Sequence, residues 1–234
     1  MDRALYPFLF GAAMLTRLND LSLAKAIQQG AYQAYSYSYP HKSAYRQLSP
    51  QSLQDVWSLE NRAALFAYIH VPFCTMRCGF CNLFTMARPT ETLVASYVDA
   101  VVRQMQAMDR VLGERRFVRL ALGGGTPSYL STAQLERLYI AAHRVLGIDL
   151  QATPSGIEVS PETATADRLQ LCRAMGVQRV SMGIQSFAAP EVRTLIRLQQ
   201  NAVVIEAIHR IRAADFPIMN LDLIYGIEGQ TMES

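Results

Sequence analysis

Cysteine placement carries the strongest chemical signal in this 234-residue chain. Three of the four cysteines stand in Cys74-Thr-Met-Arg-Cys78-Gly-Phe-Cys81, and Cys172 lies far downstream. Three soft thiolates in one short loop suit a soft metal ion or an iron–sulfur cluster. A closed zinc site asks for a fourth ligand, here His70 or a folded-back Cys172. A four-iron cluster held by three thiolates instead leaves one iron open to a small molecule. The C-x3-C-x2-C spacing favours the cluster. A secreted disulfide framework would spread its cysteines along the chain. Cys172 falls among the apolar positions of Leu169–Met175 and reads as an inert buried thiol.

Gly123-Gly-Gly-Thr-Pro127 is a second signal. Its glycines let backbone approach a ligand closely, or simply make a tight turn. The run has the spacing of neither a dinucleotide fingerprint nor a phosphate loop. Glu158 and Asp222 are acids on inward strand faces, where an unpaired charge is costly. His70 reads as a strand histidine, His143 and His209 as helix-surface residues, and His41 is uninformative.

These residues need a scaffold, and the pattern from about residue 64 supplies one. Strands are expected at Leu65–Val71, Phe117–Leu122, Gly156–Val159, Val177–Ile184 and Ile218–Tyr225. Helices are expected at Glu91–Leu112, Thr132–Leu146, Glu162–Met175 and Pro190–Ala213. Such alternation implies an α/β fold with a parallel sheet and right-handed crossovers. In the last strand Met219, Leu221, Leu223 and Tyr225 face one way, and Ile218, Asn220, Asp222 and Ile224 the other. Polar residues on one face suggest the lining of a barrel or a site rather than an open doubly wound sheet. The sequence ends in the loop 226–234, leaving the fifth strand uncovered, so the chain is expected to be truncated at its C-terminus or completed by another polypeptide.

Half of the residues are apolar, 18% are charged and the net charge is +3. That excludes a disordered chain and gives no footprint for nucleic acid. No apolar run is long enough to span a membrane. Leu5–Leu15 imitates a signal core, but Pro7 interrupts it and no small-residue cleavage site follows, so the cytosol is the expected compartment. Residues 1–63 read as an N-terminal extension, with Tyr35, Tyr37 and Tyr39 in an aromatic strap or a stacking surface.

Tyr68-Ile-His-Val-Pro-Phe-Cys74, with the two cysteines after it, resembles the radical S-adenosylmethionine (SAM) superfamily. More narrowly it resembles the branch of oxygen-independent coproporphyrinogen III oxidases and related haem chaperones. Gly123–Pro127, Glu158-Val-Ser-Pro161, Arg179-Val-Ser-Met-Gly-Ile-Gln-Ser-Phe187 and Asp222-Leu-Ile-Tyr-Gly226 follow in order. The likeness covers 64–234; Tyr39-Pro-His-Lys-Ser-Ala-Tyr45 is similar to a less characterised subgroup. It implies a partial (β/α) barrel of six strand–helix units, of which the pattern supplies five. The cysteine loop, glycine run, Glu158, Gln185 and Asp222 all fall at strand C-terminal ends, where such barrels keep their sites.

The resemblance implies a [4Fe-4S] cluster on Cys74, Cys78 and Cys81, with SAM held by Tyr68, Gly124, Gly125, Thr126, Glu158, Gln185, Arg197, Asp222 and Ile224. Glu158 and Asp222 would take ribose hydroxyls or the methionyl end. Arg197 would meet the SAM carboxylate, unless it is a solvated helix arginine. The implied protein is an oxidoreductase of porphyrin biosynthesis. Its reduced cluster cleaves SAM to a 5′-deoxyadenosyl radical, which takes hydrogen from a porphyrinogen-type substrate. A flavodoxin or ferredoxin would supply the electron. A haem-binding chaperone without decarboxylase activity, and an inactive cluster-binding fragment, are the alternatives. Three departures bear on the choice. Leu83 stands where the oxidases carry a further cysteine, Glu228 replaces a proline, and Arg197-Leu-Gln-Gln200 lacks a histidine common in the family.

Overall fold

The computed structural model describes residues 45–231. The chain divides into two compact units, Met1–Pro50 and Gln51–Ser234. In the first, Tyr45–Pro50 runs as exposed irregular chain, and the tyrosines at 35, 37 and 39 lie outside the described residues. The second unit begins ahead of residue 64. Arg62 donates to the carbonyls of Trp57 (2.8 Å) and Leu112 (2.7 Å).

The elements of that unit are α1 (Leu53–Trp57), β1 (Leu65–Val71), β2 (Phe73–Cys74), β3 (Met86–Ala87), α2 (Glu91–Leu112), β4 (Phe117–Gly124), α3 (Thr132–Leu146), β5 (Ser155–Val159), α4 (Ala166–Ala174), β6 (Arg179–Gln185), α5 (Ala189–Thr194), α6 (Asn201–Ala213) and β7 (Ile218–Leu223). The strands β1-β4-β5-β6-β7 form one parallel sheet in chain order, as the alternating pattern predicts. Alternation along each strand sorts the side chains. Ile69, Leu120, Leu122, Ile157, Val180, Met182 and Ile184 are buried beneath the helices. Phe66, Tyr68, Arg119, Arg179 and Asp222 stand exposed on the other face, which Glu158 shares with its carboxylate part-buried against Gly124. No helix among the described residues is long and apolar enough to cross a membrane.

Three expectations need correction. The helix expected over Pro190–Ala213 is two helices, α5 and α6, because the segment between them is drawn into the cysteine loop. There Gly79 N–H donates to Leu195 O (2.9 Å), and Ile196 takes a positive φ of 49°. The helix expected from Glu162 starts at Ala166. Thr163 Oγ1 folds back on Ser160 instead, the local side-chain bonding that competes with a helix. The last strand ends at Leu223 rather than Tyr225, and neither residue is under helices; they are 61% and 71% exposed. Strand β4 runs on through Gly124, which still pairs with Val71.

Candidate functional site

The cysteine loop is clipped at its base by β2 and β3, a two-residue parallel pair. Met86 N–H donates to Pro72 O (2.7 Å) and Arg88 N–H to Cys74 O (3.0 Å). On the far side Gly79 and Leu198 tie the loop to the chain between α5 and α6, the latter through its N–H to Met76 Sδ (3.3 Å). All three loop cysteines are free and half-buried. Each meets one hydrogen-bonding partner: Thr126 Oγ1 donates to Cys74 Sγ (3.6 Å), Arg197 Nη1 to Cys78 Sγ (3.4 Å), and the Thr85 hydroxyl lies 3.7 Å from Cys81 Sγ. Burial lifts the Cys74 thiol above its ordinary value, against the pull of the Thr126 hydroxyl, and hydrogen bonds to cluster sulfurs tune the group they hold.

The fourth ligand that zinc would need is engaged elsewhere. His70 Nε2 lies 2.9 Å from Phe84 O. Cys172 is buried on α4, and burial pushes its thiol up to about 12. Neither lines the cavity that the three thiols share. Among the described residues, no three histidines, cysteines or acids gather around a point where a single ion would sit. The donor set fits a [4Fe-4S] cluster: three free thiols in one cavity, each with its own hydrogen-bonding partner.

That cavity, of about 240 Å³, also brings in Gly124, Gly125, Thr126, Glu158, Gln185, Arg197 and Asp222. Gly124 has φ +109°, and a Cβ there would meet the His70 ring at 2.6 Å. Glycine is demanded here first by protein packing. Gln185, also at positive φ (72°), closes β6; its carbonyl accepts from Ile224 N–H (2.9 Å). Ile224 thus pins the rim without lining the cavity. Tyr68 does not line it either. Its ring packs by Gly123, with its hydroxyl 3.4 Å from His70 Nδ1. Arg197 is not a solvated helix arginine: it lies between the two helices, and Nη2 donates to Gly183 O (2.7 Å).

Glu158 accepts from Gly124 N–H (3.0 Å). Loss of solvent lifts its carboxyl above its ordinary range and Asp222 adds to the rise, against the pull of the Gly124 N–H and His70. The folded chain therefore holds this proton more tightly than the unfolded one. Ionisation at neutral pH works against the fold, and the group's contribution improves as pH falls through its raised pKa. Glu158→Gln should thus raise the melting temperature at neutral pH, with the gain gone by about pH 4, where the unfolded carboxyl also takes up its proton. Thermal melts of both proteins across pH check this.

Two features were missed from sequence. Thr85 carries no motif signal. Glu191 is buried and accepts from Ser186 Oγ (2.5 Å) and Gln230 Nε2 (3.1 Å). Gln230 Oε1 in turn accepts from Gly226 N–H (2.7 Å), so the loop after β7 is buckled to α5. Gln230 lies in the loop 226–234, and only its partner across the fold shows its use.

Comparison with known proteins places this geometry. The radical SAM superfamily model matches residues 68–234. The oxygen-independent coproporphyrinogen III oxidase of Salmonella typhimurium is 32% identical over 213 residues, 86% of this chain and 46% of that protein. The heme chaperone HemW of Bacillus subtilis is 30% identical over 170 residues, 71% of this chain and 44% of its own length. The structure of coproporphyrinogen III oxidase (HemN) from Escherichia coli superposes with a TM-score of 0.76 at 29% identity, covering 89% of this chain and 47% of that one. The chain spans about half the length of the curated relatives it matches. With the match running from Tyr68 through the cysteine loop to Ser234, the chain belongs to the radical SAM superfamily.

Proposed function

We propose that this chain is the SAM-cleaving part of an oxidoreductase of the coproporphyrinogen-oxidase kind, with a [4Fe-4S] cluster on Cys74, Cys78 and Cys81. One observation carries the reading: those thiols share a single cavity with the glycine run, Glu158, Asp222 and Arg197. When bound and reduced, the cluster supplies the electron that splits the sulfonium of SAM, giving methionine and a 5′-deoxyadenosyl radical. The chain's own side chains bind and orient. Arg197 is the one cation among the described residues of the cavity wall, suited to a carboxylate. Glu158 and Asp222 accept hydrogen bonds from hydroxyls, Thr126 and Gln185 offer neutral hydrogen bonds, and Tyr68 and Ile224 back them. Phe80, Leu83 and Leu198 on the wall keep water out.

A porphyrinogen-type substrate, an electron donor such as flavodoxin or ferredoxin, and a cytoplasmic setting complete the proposal. Relatives of this kind and the free thiols support it. Leu83, in place of a further cysteine, favours a second reading, a haem chaperone that keeps the cluster. Reduced, reconstituted protein given SAM and coproporphyrinogen III should form 5′-deoxyadenosine. Asp222→Ala and Arg197→Ala should each weaken SAM binding by about tenfold or more, the scale of a lost charge-assisted hydrogen bond. Tight haem binding without 5′-deoxyadenosine would favour the chaperone.

A further inference from the structure

The open face of the sheet holds a second cavity, of about 290 Å³, whose end toward the strand N-termini the SAM reading does not use. Glu158 and Tyr68 wall it toward the strand C-termini; Arg119, Arg179 and Phe66 line its other end. The Arg119 guanidinium has no hydrogen bond or ion pair among the described residues. Arg179 engages only its Nε, with Ser181 Oγ (3.2 Å). Ala121, Gly156 and Arg179 lie in register across β4, β5 and β6, and Arg119 precedes Ala121 by two residues on the same face. The two arginines thus stand on strands about 10 Å apart, two strand spacings.

Gly156 lies between them. A Cβ there would meet nothing closer than Arg179 O at 3.5 Å, so the floor is a notch, not a packed seam. Two guanidiniums with free donors beside a notch suit carboxylates. The rings of Phe66 and Tyr68, more than half exposed, offer apolar surface beside them.

We propose that Arg119 and Arg179 form a carboxylate-binding site for a ligand whose acid side chains hang from a flat apolar body. The identity of that ligand rests on the function proposed above: the acids are propionates of the tetrapyrrole, held at the far end from the cysteine loop. The arginines set specificity and take no part in SAM cleavage. Fluorescence titration of the cluster-loaded protein with coproporphyrin III and with its tetramethyl ester tests this. Arg119→Gln and Arg179→Gln should each weaken the acid by about tenfold and leave the ester unchanged. Gly156→Val, which fills the notch, should weaken both. The change that SAM makes in the cluster's electron paramagnetic resonance (EPR) spectrum should persist in all three variants. Equal binding of acid and ester by the wild type, binding of neither, or variants that hold the acid as well as wild type would each overturn the proposal. Loss of the SAM response in the wild type would instead count against the proposed function, and the porphyrin titrations would still decide the arginines.

Discussion

Anaerobically reconstituted protein is expected to hold about four irons per chain with broad visible iron–thiolate absorption. Cys74→Ala, Cys78→Ala and Cys81→Ala should each abolish both, while Cys172→Ala should keep them. The asymmetry follows from placement. The first three thiols are half-buried in one cavity, each beside a hydrogen-bonding partner. Cys172 is only 2% exposed, and its thiol is held protonated by burial. Losing one of three ligands leaves the loop without enough thiolates for a cluster, so the effect is all-or-none rather than graded. Iron analysis and visible spectra read it. Stoichiometric zinc in the intact site would contradict it.

Gly124→Ala should damage the fold and the cysteine loop together. A side chain at its φ of +109° strains the backbone by about 1–3 kcal/mol. The new Cβ also meets the His70 ring at 2.6 Å. That ring is held by Phe84 O at 2.9 Å, so it yields only by disturbing the loop that carries Cys81. Gly147→Ala is the control. It also has positive φ, +73°, as the C-cap of α3, but nothing lies within 4 Å of its Cβ. Gly147→Ala should lower the melting temperature modestly and keep iron. Gly124→Ala should lower it further and lose iron. Matching melts and iron contents for the two variants would refute the packing argument.

Local signals explain why so much of the scaffold could be read in advance. Helix α2 begins at Thr90, which caps Leu93 N–H, and stops at Gly113; α3 begins at the Ser131/Gln134 capping box and stops at Gly147. Their limits coincide with those expected from the pattern. The break between α5 and α6 could not be read so. What ends the helix is Gly79 N–H and the Cys78 thiol, more than a hundred residues earlier in the chain. The β2–β3 pair escapes notice for the same reason, since two residues carry no period. In the site, motif order anticipated the thiols, glycines, acids and Arg197 that share the cavity. It did not anticipate that Tyr68 and Ile224 stand behind the lining, or that Thr85 partners Cys81, because those depend on side-chain direction.

If three thiolates hold a cluster with one iron open to SAM, then SAM must perturb that cluster directly. EPR spectroscopy of the reduced protein, before and after saturating SAM, tests it without requiring turnover. A reduced-cluster signal whose g-values shift on adding SAM is the predicted result. A cluster signal that saturating SAM leaves unchanged would contradict it.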